Sequence, residues 1–364
     1  MTEHGSRSPS SPSHEGEDGL RPYPGGSGAD SPASPASSSS PALPGDDDAA
    51  APGDAAEGAA RRRRVAVVTD SASALPDAWL SEYTEGPGFA VVDMPVLIEG
   101  QLYTHDEADT LSSLVVALAE GRPVTTSRPA PGQLRAAYRR FEEEGYEAVV
   151  SIHLSGELSG TVGAARIARQ DIGIPVRIVD TASAGLGQGL GVRAGLAAAA
   201  SGAGIDDVAR AALGAAQVAQ VLIQVRSFET LRRGGRVNAT TARLGSVLQI
   251  KPLLSLAEGK IVTVERPVSL PRAKQRFMTL AGEALRDAEH ERPVLCLHHV
   301  ADPNGAREIG EVLRDRYRPE ADLVISDLPP VLSAHVGLGT KAAVIEGPTA
   351  RPVWRGERPA QPTP

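Results

Sequence analysis

Between residues 65 and 200, short apolar runs alternate with segments whose apolar residues have helical spacing. The apolar runs predict buried strands at residues 65–70, 90–98, 148–152 and 176–180. Leu111, Leu114 and Leu118 lie on one face of a predicted helix, and residues 186–200 predict a second helix made of small residues. Strands that alternate with helices favour a parallel sheet that is covered on both faces.

The pattern changes beyond residue 217, where a β-hairpin is predicted. Its strands, 253–256 and 260–266, flank the turn Ala257-Glu258-Gly259. Further strands are predicted at residues 221–225, 294–297 and 323–325, with a helix at 273–285. The predicted fold class is therefore α/β with two domains. These are an N-terminal parallel-sheet domain at 64–216 and a smaller α+β domain at 217–347.

The two ends of the chain have a different composition. Residues 1–63 are rich in Ser, Pro, Gly, Ala and Asp with almost no bulky apolar residue, so we predict a disordered tail. A second disordered tail is predicted at 348–364. The basic run 61–64 has two interpretations, contact with nucleic acid or anionic lipid and a solvated edge of the folded domain. The second is preferred because the run is short and has no aromatic partners.

Composition narrows the classes of function. Aromatic residues make up 3% of the chain and hydrophobic residues 41%, so the core must be aliphatic. A net charge of -8 argues against general nucleic-acid binding, and no apolar run approaches the roughly 20 residues of a membrane span. Cys296 is the sole cysteine, and His298 and His299 have no evident third partner, so no metal site is expected. The first residues lack the apolar segment of a signal peptide, which favours a soluble cytoplasmic protein.

One loop combines the features of an anion site. The predicted strand 148–152 leads into His153-Leu154-Ser155-Gly156-Glu157-Leu158-Ser159-Gly160-Thr161, which opens a helix. Such a loop presents free backbone N–H groups and a favourable helix dipole. It offers hydroxyl donors but no lysine, arginine or metal-ligand cluster, which favours a small carboxylate. The serines are equally compatible with a plain helix cap.

Six segments, in order and from about residue 64 to 346, together resemble the DegV family of bacterial fatty-acid-binding proteins. The segments are Val68-Thr69-Asp70-Ser71-Ala72-Ser73, Thr126-Ser127-Arg128-Pro129, Leu154-Ser155 through Leu158-Ser159-Gly160-Thr161, Val179-Asp180-Thr181, Leu231-Arg232-Arg233-Gly234-Gly235-Arg236 and His335-Val336-Gly337-Leu338-Gly339-Thr340. The resemblance implies two α/β domains that hold a fatty acid between them, with the acyl chain buried and the carboxylate near the surface.

The resemblance also implies roles for individual residues. The carboxylate would meet Thr126 and Ser155, with Ser127, Gly156 and His335 close by. Some family members present the fatty acid to a separate kinase subunit, which phosphorylates the carboxyl group to an acyl phosphate. The chain is thus expected to be a non-catalytic lipid carrier whose ligand is a long-chain fatty acid, with no other cofactor and no stable membrane insertion. Taken alone, Thr126 and Ser127 fit a turn before Pro129, and His335 fits an exposed loop.

The sequence departs from the family pattern at two positions. Gly156 replaces a frequent second serine, so that a backbone N–H would take the place of a hydroxyl donor. Arg128 replaces the usual glutamine, and it either adds a charge near the entrance or points to solvent. Arg236 has two interpretations as well, contact with a kinase partner and a cation at a helix C-terminus. Acyl length and unsaturation are left open.

Two enzyme classes compete with this interpretation. Gly189-Leu190-Gly191-Val192-Arg193-Ala194 fits a relaxed dinucleotide-binding motif, but residues 181–188 separate it from the preceding strand. Small residues there are explained more simply by close helix packing. A serine hydrolase would use Ser155 or Ser159 with His335, yet neither serine lies in a G-x-S-x-G elbow and no acid is identified.

Overall fold

We describe a computed structural model of the chain over residues 64–82, 88–104, 109–226, 228–236 and 250–347. The two predicted tails, 1–63 and 348–364, lie outside the described residues. Within the described part, no helix is long and apolar enough to cross a membrane.

A four-stranded parallel sheet forms the N-terminal half. Its strands are β1 (Val65–Asp70), β2 (Phe89–Val92), β6 (Ala148–His153) and β7 (Val176–Asp180), in the order β2-β1-β6-β7. Alternate residues of β1 face opposite sides, because Val65 and Val67 belong to one hydrophobic cluster and Ala66 and Val68 to another. Helices therefore cover both faces, as expected for a parallel sheet.

The helices of this half divide between the two faces of the sheet. One face packs against α3 (Pro131–Glu143) and α4 (Thr161–Ala168), and the other against α5 (Leu186–Ala200) and α6 (Ile205–Val218). A short helix, α1 (Asp77–Glu82), follows β1 after a 3-10 turn.

A small antiparallel sheet follows β2. It contains β3 (Val96–Ile98), β4 (Gln101–Tyr103) and β5 (Val124–Thr126) in the order β4-β3-β5, with α2 (Thr110–Glu120) between β4 and β5. The prediction of one strand over 90–98 was wrong. Pro95 has no N–H for a sheet ladder, and the chain changes sheets there. Thr126, which taken alone fits a turn before Pro129, instead ends strand β5, which is paired with β3.

A six-stranded mixed sheet forms the C-terminal half. Its strands are β8 (Gln220–Gln224), β9 (Leu253–Ala257), β10 (Lys260–Glu265), β11 (Val294–His299), β12 (Asp322–Asp327) and β13 (Lys341–Ile345). The order is β10-β9-β8-β13-β11-β12, and only β11 and β12 are parallel neighbours. The predicted hairpin is present as β9 and β10. Its turn residues Glu258 and Gly259 both have positive φ, the backbone of a type I′ turn.

The two faces of this sheet have different surroundings: one packs in a hydrophobic core and the other lines a cavity. Leu222, Leu295 and Leu297 belong to a hydrophobic core that also contains residues of α8 (Leu270–Arg286) and α9 (Pro303–Tyr317). The alternate residues point to the opposite face and line a cavity, described below. Two short helices, α7 (Glu229–Arg233) and α10 (Pro330–Val336), lie on that side. The predicted fold class, a parallel-sheet α/β half followed by an α+β half, is confirmed.

Candidate functional site

A narrow cavity is lined by residues of both halves of the described chain. The space between its walls, counted together with the solvent at its opening, is about 860 Å³. Most of the lining is aliphatic, including Met94, Leu154, Ile223, Leu256, Val331 and Val344. Ser127 and Arg128 are the exposed lining residues, so they mark the opening. The arrangement suits a long apolar ligand with a polar end.

Polar side chains gather near this opening. Thr126, at the end of β5, has its Oγ1 atom 2.9 Å from Nε2 of His335. His335 lies in the last turn of α10 rather than in an exposed loop, because Pro330 opens a helix that runs to Val336. Gly337, with φ +81°, then ends the helix. Thr126, Ser127 and His335, predicted to act together, therefore share one cavity.

The imidazole of His335 is uncharged at neutral pH. Burial lowers its pKa to about 4, and the positive charge of Arg236 acts in the same direction. The contact with Thr126 is thus a hydrogen bond between two uncharged side chains that both line the cavity.

Ser155 and Gly156 do not line the cavity. The Ser155 hydroxyl is buried and donates to the carbonyl of Gly259 in the hairpin turn at 2.7 Å, while it accepts from the N–H of Glu157. The Gly156 N–H donates to the carboxylate of Asp180, 3.2 Å from each oxygen. Both donors already have protein acceptors, so a role in binding a carboxylate requires an exchange of partners. That role stays a prediction.

A buried polar chain lies behind the same loop, and sequence reasoning did not anticipate it. Nδ1 of His153 is 2.8 Å from Asp70, its Nε2 is 2.7 Å from Ser151 Oγ, and Ser151 Oγ is 2.7 Å from the Tyr138 hydroxyl. Burial raises the pKa of Tyr138 to about 12, so the phenol keeps its proton. We infer that Tyr138 donates to Ser151, Ser151 to Nε2, and Nδ1 to Asp70, which gives every proton an acceptor.

The buried hydrogen bonds from Ser151 through His153 to Asp70 follow the atom order of a Ser-His-Asp triad, but they lack a triad's access to substrate. Ser151 is completely buried and its oxygen contacts only His153 and Tyr138 in hydrogen bonds. The serines proposed for a hydrolase bind elsewhere, Ser155 to Gly259 and Ser159 to the hydroxyl of Thr161. No serine–histidine pair of the described chain opens into the cavity.

The glycines of the relaxed dinucleotide motif lie inside α5. A Cβ on Gly189 would be 2.5 Å from the carbonyl of Ser73, and one on Gly191 would be 2.7 Å from the carbonyl of Ala212. Their small size is needed for close packing, and they do not form a loop at a strand end.

Two histidines at the end of β11 have separate environments. His298 is buried, lines the cavity, and accepts the N–H of Leu186 at 3.0 Å. Burial lowers its pKa to about 4. His299 instead lies 3.1 Å from Asp327. Among the described residues there is no group of three potential metal ligands. Sequence reasoning did not place His298 in the cavity, since its neighbour Leu186 is 112 residues away.

Acid is expected to destabilise the protein between pH 6.5 and 4. The unfolded chain protonates its histidines near pH 6.5, whereas folded His298 and His335 resist protonation until about pH 4. The unfolded state then binds more protons, so the free energy of unfolding falls as pH falls through this window, by roughly 3 kcal/mol per histidine at most. Urea unfolding at pH 7, 5.5 and 4.5 measures the loss. Over this pH range His335→Gln should lose less free energy of unfolding than the wild type. Equal losses in the two proteins would contradict the assignment of His335 as a buried histidine of lowered pKa.

Comparison with known proteins comes from both sequence and structure. A family model described as "Uncharacterised protein, DegV family" matches residues 64–347. The chain is 36% identical over 283 residues to a DegV domain-containing protein of Streptomyces coelicolor, covering 78% of this chain and 98% of that protein. A solved DegV family protein from Thermus thermophilus, described by its fatty acid binding, has a TM-score of 0.69 and 29% identity, covering 78% of this chain and 99% of that one. A fatty acid binding DegV family protein from Streptococcus agalactiae has a TM-score of 0.70 and 26% identity. The match covers 79% of this chain and 99% of that one.

Proposed function

The chain belongs to the DegV family, and we propose that it binds one long-chain fatty acid with the acyl chain in the cavity and the carboxylate near Thr126 and His335. The observation that carries this proposal is a narrow cavity with an aliphatic interior and a polar opening. Fatty acid binding by the related proteins of Thermus thermophilus and Streptococcus agalactiae supports it.

The aliphatic wall would supply most of the affinity. Each methylene that leaves water contributes about 0.8 kcal/mol, so a chain of many methylenes gains more than any one head-group contact. The inner lining from β8 and β13, Val221, Ala342 and Val344, is almost completely buried and carries no polar side-chain atom. His298, the polar exception nearby, already uses Nε2 to accept a backbone N–H.

The head group would meet neutral donors. A carboxylate has about four acceptor positions, and Thr126, Ser127 and uncharged His335 offer hydroxyl and imidazole protons without a buried cation. The half-buried Arg236 adds positive charge at the same side of the cavity. Ser155 and Gly156 remain candidate contacts, which would have to release Gly259 and Asp180.

Thr126→Val should weaken palmitate binding about 10- to 100-fold at pH 7.5, because a hydrogen bond to a charged group contributes roughly 1.5–3 kcal/mol. Valine keeps the shape and the strand preference of threonine. Thr125→Val is the matched control, since the adjacent Thr125 is exposed on the other side of β5. Calorimetric titration measures both. Equal palmitate affinity in wild type and Thr126→Val would contradict the head-group assignment.

The proposal extends to a non-catalytic role in the cytoplasm, where the bound carboxyl group is presented to a separate fatty acid kinase. Exposed Ser127 and Arg128 support this, because they place the polar end of the ligand at the opening and within reach of another protein. A kinase of this kind, added with ATP, would phosphorylate the carboxyl group to an acyl phosphate. No cofactor besides the fatty acid is needed by the carrier itself.

A further inference from the structure

Two arginines lie on either side of Ser159 at the cavity. Arg236 donates through Nε to the carbonyl of Leu158 at 3.2 Å, and through Nη1 to the carbonyl of Gly234. The guanidinium of Arg128 lies against Gly160, where Nη1 is 2.9 Å from the position that a Cβ would occupy. Arg128, Arg236 and Ser159 all line the cavity. The two guanidinium groups therefore contact the residues that flank one cavity-lining serine.

The charge of these arginines is not balanced by the cavity. None of the lining residues is Asp or Glu, and neither arginine forms a salt bridge with a described residue. His335 contributes no charge at neutral pH, since its pKa is about 4. The sequence directly after Arg236, residues 237–249, contains no acidic residue. A fatty acid carboxylate supplies one negative charge to a region that carries two positive ones.

We propose that this region binds a doubly charged head group, a long-chain acyl phosphate, more tightly than the fatty acid, and that Arg128 determines this preference. This inference rests on the proposed function, in which the product of the kinase is an acyl phosphate, and adds to it a binding preference and a specificity residue. The terminal phosphate of an acyl phosphate, like that of a phosphate monoester, carries a charge of about -1.5 to -2 at pH 7 and three acceptor oxygens. The planar fork of arginine matches such a group in a bidentate manner.

Arg128 is the more informative of the two arginines. Arg236 already uses two of its donors on the backbone carbonyls of Leu158 and Gly234, which hold its side chain in place. Arg128 is exposed, and Gly160 leaves the space that its guanidinium occupies beside the loop. The glutamine that the family resemblance leads one to expect at this position would leave Arg236 as the one cation among the described lining residues.

The test compares two probes with the same chain length, palmitate and hexadecyl phosphate, on the full-length protein at about pH 8, where the phosphate is doubly charged. Calorimetric titration below the micelle concentration gives both affinities. We expect the wild type to bind hexadecyl phosphate at least tenfold more tightly than palmitate. Arg128→Gln should reduce this ratio of affinities to less than threefold, mainly by weakening the binding of hexadecyl phosphate.

The control is Arg166→Gln, which removes an exposed positive charge from α4 outside the cavity and should keep the wild-type ratio. A wild-type protein without preference, or an Arg128→Gln protein with the full preference, would overturn the inference. If neither probe binds the wild type, it is the proposed function that fails. Palmitate binding without a phosphate preference retains the proposed function and refutes only the inference about acyl phosphate and Arg128.

Discussion

Replacing Ala342 with phenylalanine is expected to weaken palmitate binding roughly 100-fold while the protein stays folded. Ala342 lies in the centre of the mixed sheet, next to Ile223 of β8 and His298 of β11, and its methyl group faces the cavity. A phenyl ring there would fill space that the acyl chain needs. Displacement of about four methylenes from the wall costs about 3 kcal/mol, or roughly a 100-fold loss of affinity.

The effect on stability should be small by comparison, since the ring enters empty space; overpacking a filled core costs about 1–3 kcal/mol. Ala342→Val is the graded control, and it should weaken palmitate binding less than Ala342→Phe does. A fatty acid several carbons shorter should lose less affinity in Ala342→Phe than palmitate loses. Titration and urea unfolding separate binding from folding. Palmitate affinity within threefold of the wild type would show that the acyl chain lies elsewhere.

Asp70→Asn is expected to destabilise the fold by about 3 kcal/mol, the second large effect. The Asp70 carboxylate is completely buried and accepts four hydrogen bonds. The donors are the N–H of Ala72, the Gln188 amide, Nδ1 of His153 and the N–H of Leu154. An asparagine amide has one acceptor oxygen, so its NH₂ group would face donors instead of acceptors.

The matched control for Asp70→Asn is Tyr138→Phe. It removes the hydroxyl at the far end of the same chain and leaves Ser151 able to donate to His153, so we expect a loss of about 1 kcal/mol. Urea unfolding at pH 7 measures both variants. Asp70→Asn with the stability of the wild type would contradict the assignment of both Asp70 oxygens as buried hydrogen-bond acceptors. Because Leu154 lines the cavity, Asp70→Asn should also weaken palmitate binding.

Local patterns were sufficient for much of the fold. The strands at 65–70 and 176–180, the helix at 186–200 and the hairpin around Gly259 all depend on residues near one another in sequence. The break at Pro95 was visible in the sequence, but the antiparallel partner of β5 was not, because Val96 pairs with Thr126 across 30 positions. The boundary between domains at 216 and 217 stays a prediction.

The candidate site could not be predicted from local sequence patterns alone. Thr126 and His335 are 209 residues apart, and only the resemblance joined them before the structure placed them 2.9 Å apart. The Ser155–Gly259 and Asp70–His153 contacts span 104 and 83 residues, and no spacing rule connects such pairs. Arg128 was visible as a departure from a family motif. Its position beside Gly160, in the same cavity lining as Arg236, became evident only in three dimensions.

Native mass spectrometry of the full-length protein tests the central claim, that one fatty acid occupies the cavity. The protein is measured as purified, after extraction with organic solvent, and after palmitate is added back. We predict a mass excess of one long-chain fatty acid that extraction removes and palmitate restores, and that Ala342→Phe does not regain. A wild-type protein that stays at the mass of the bare chain in the presence of palmitate would contradict the account.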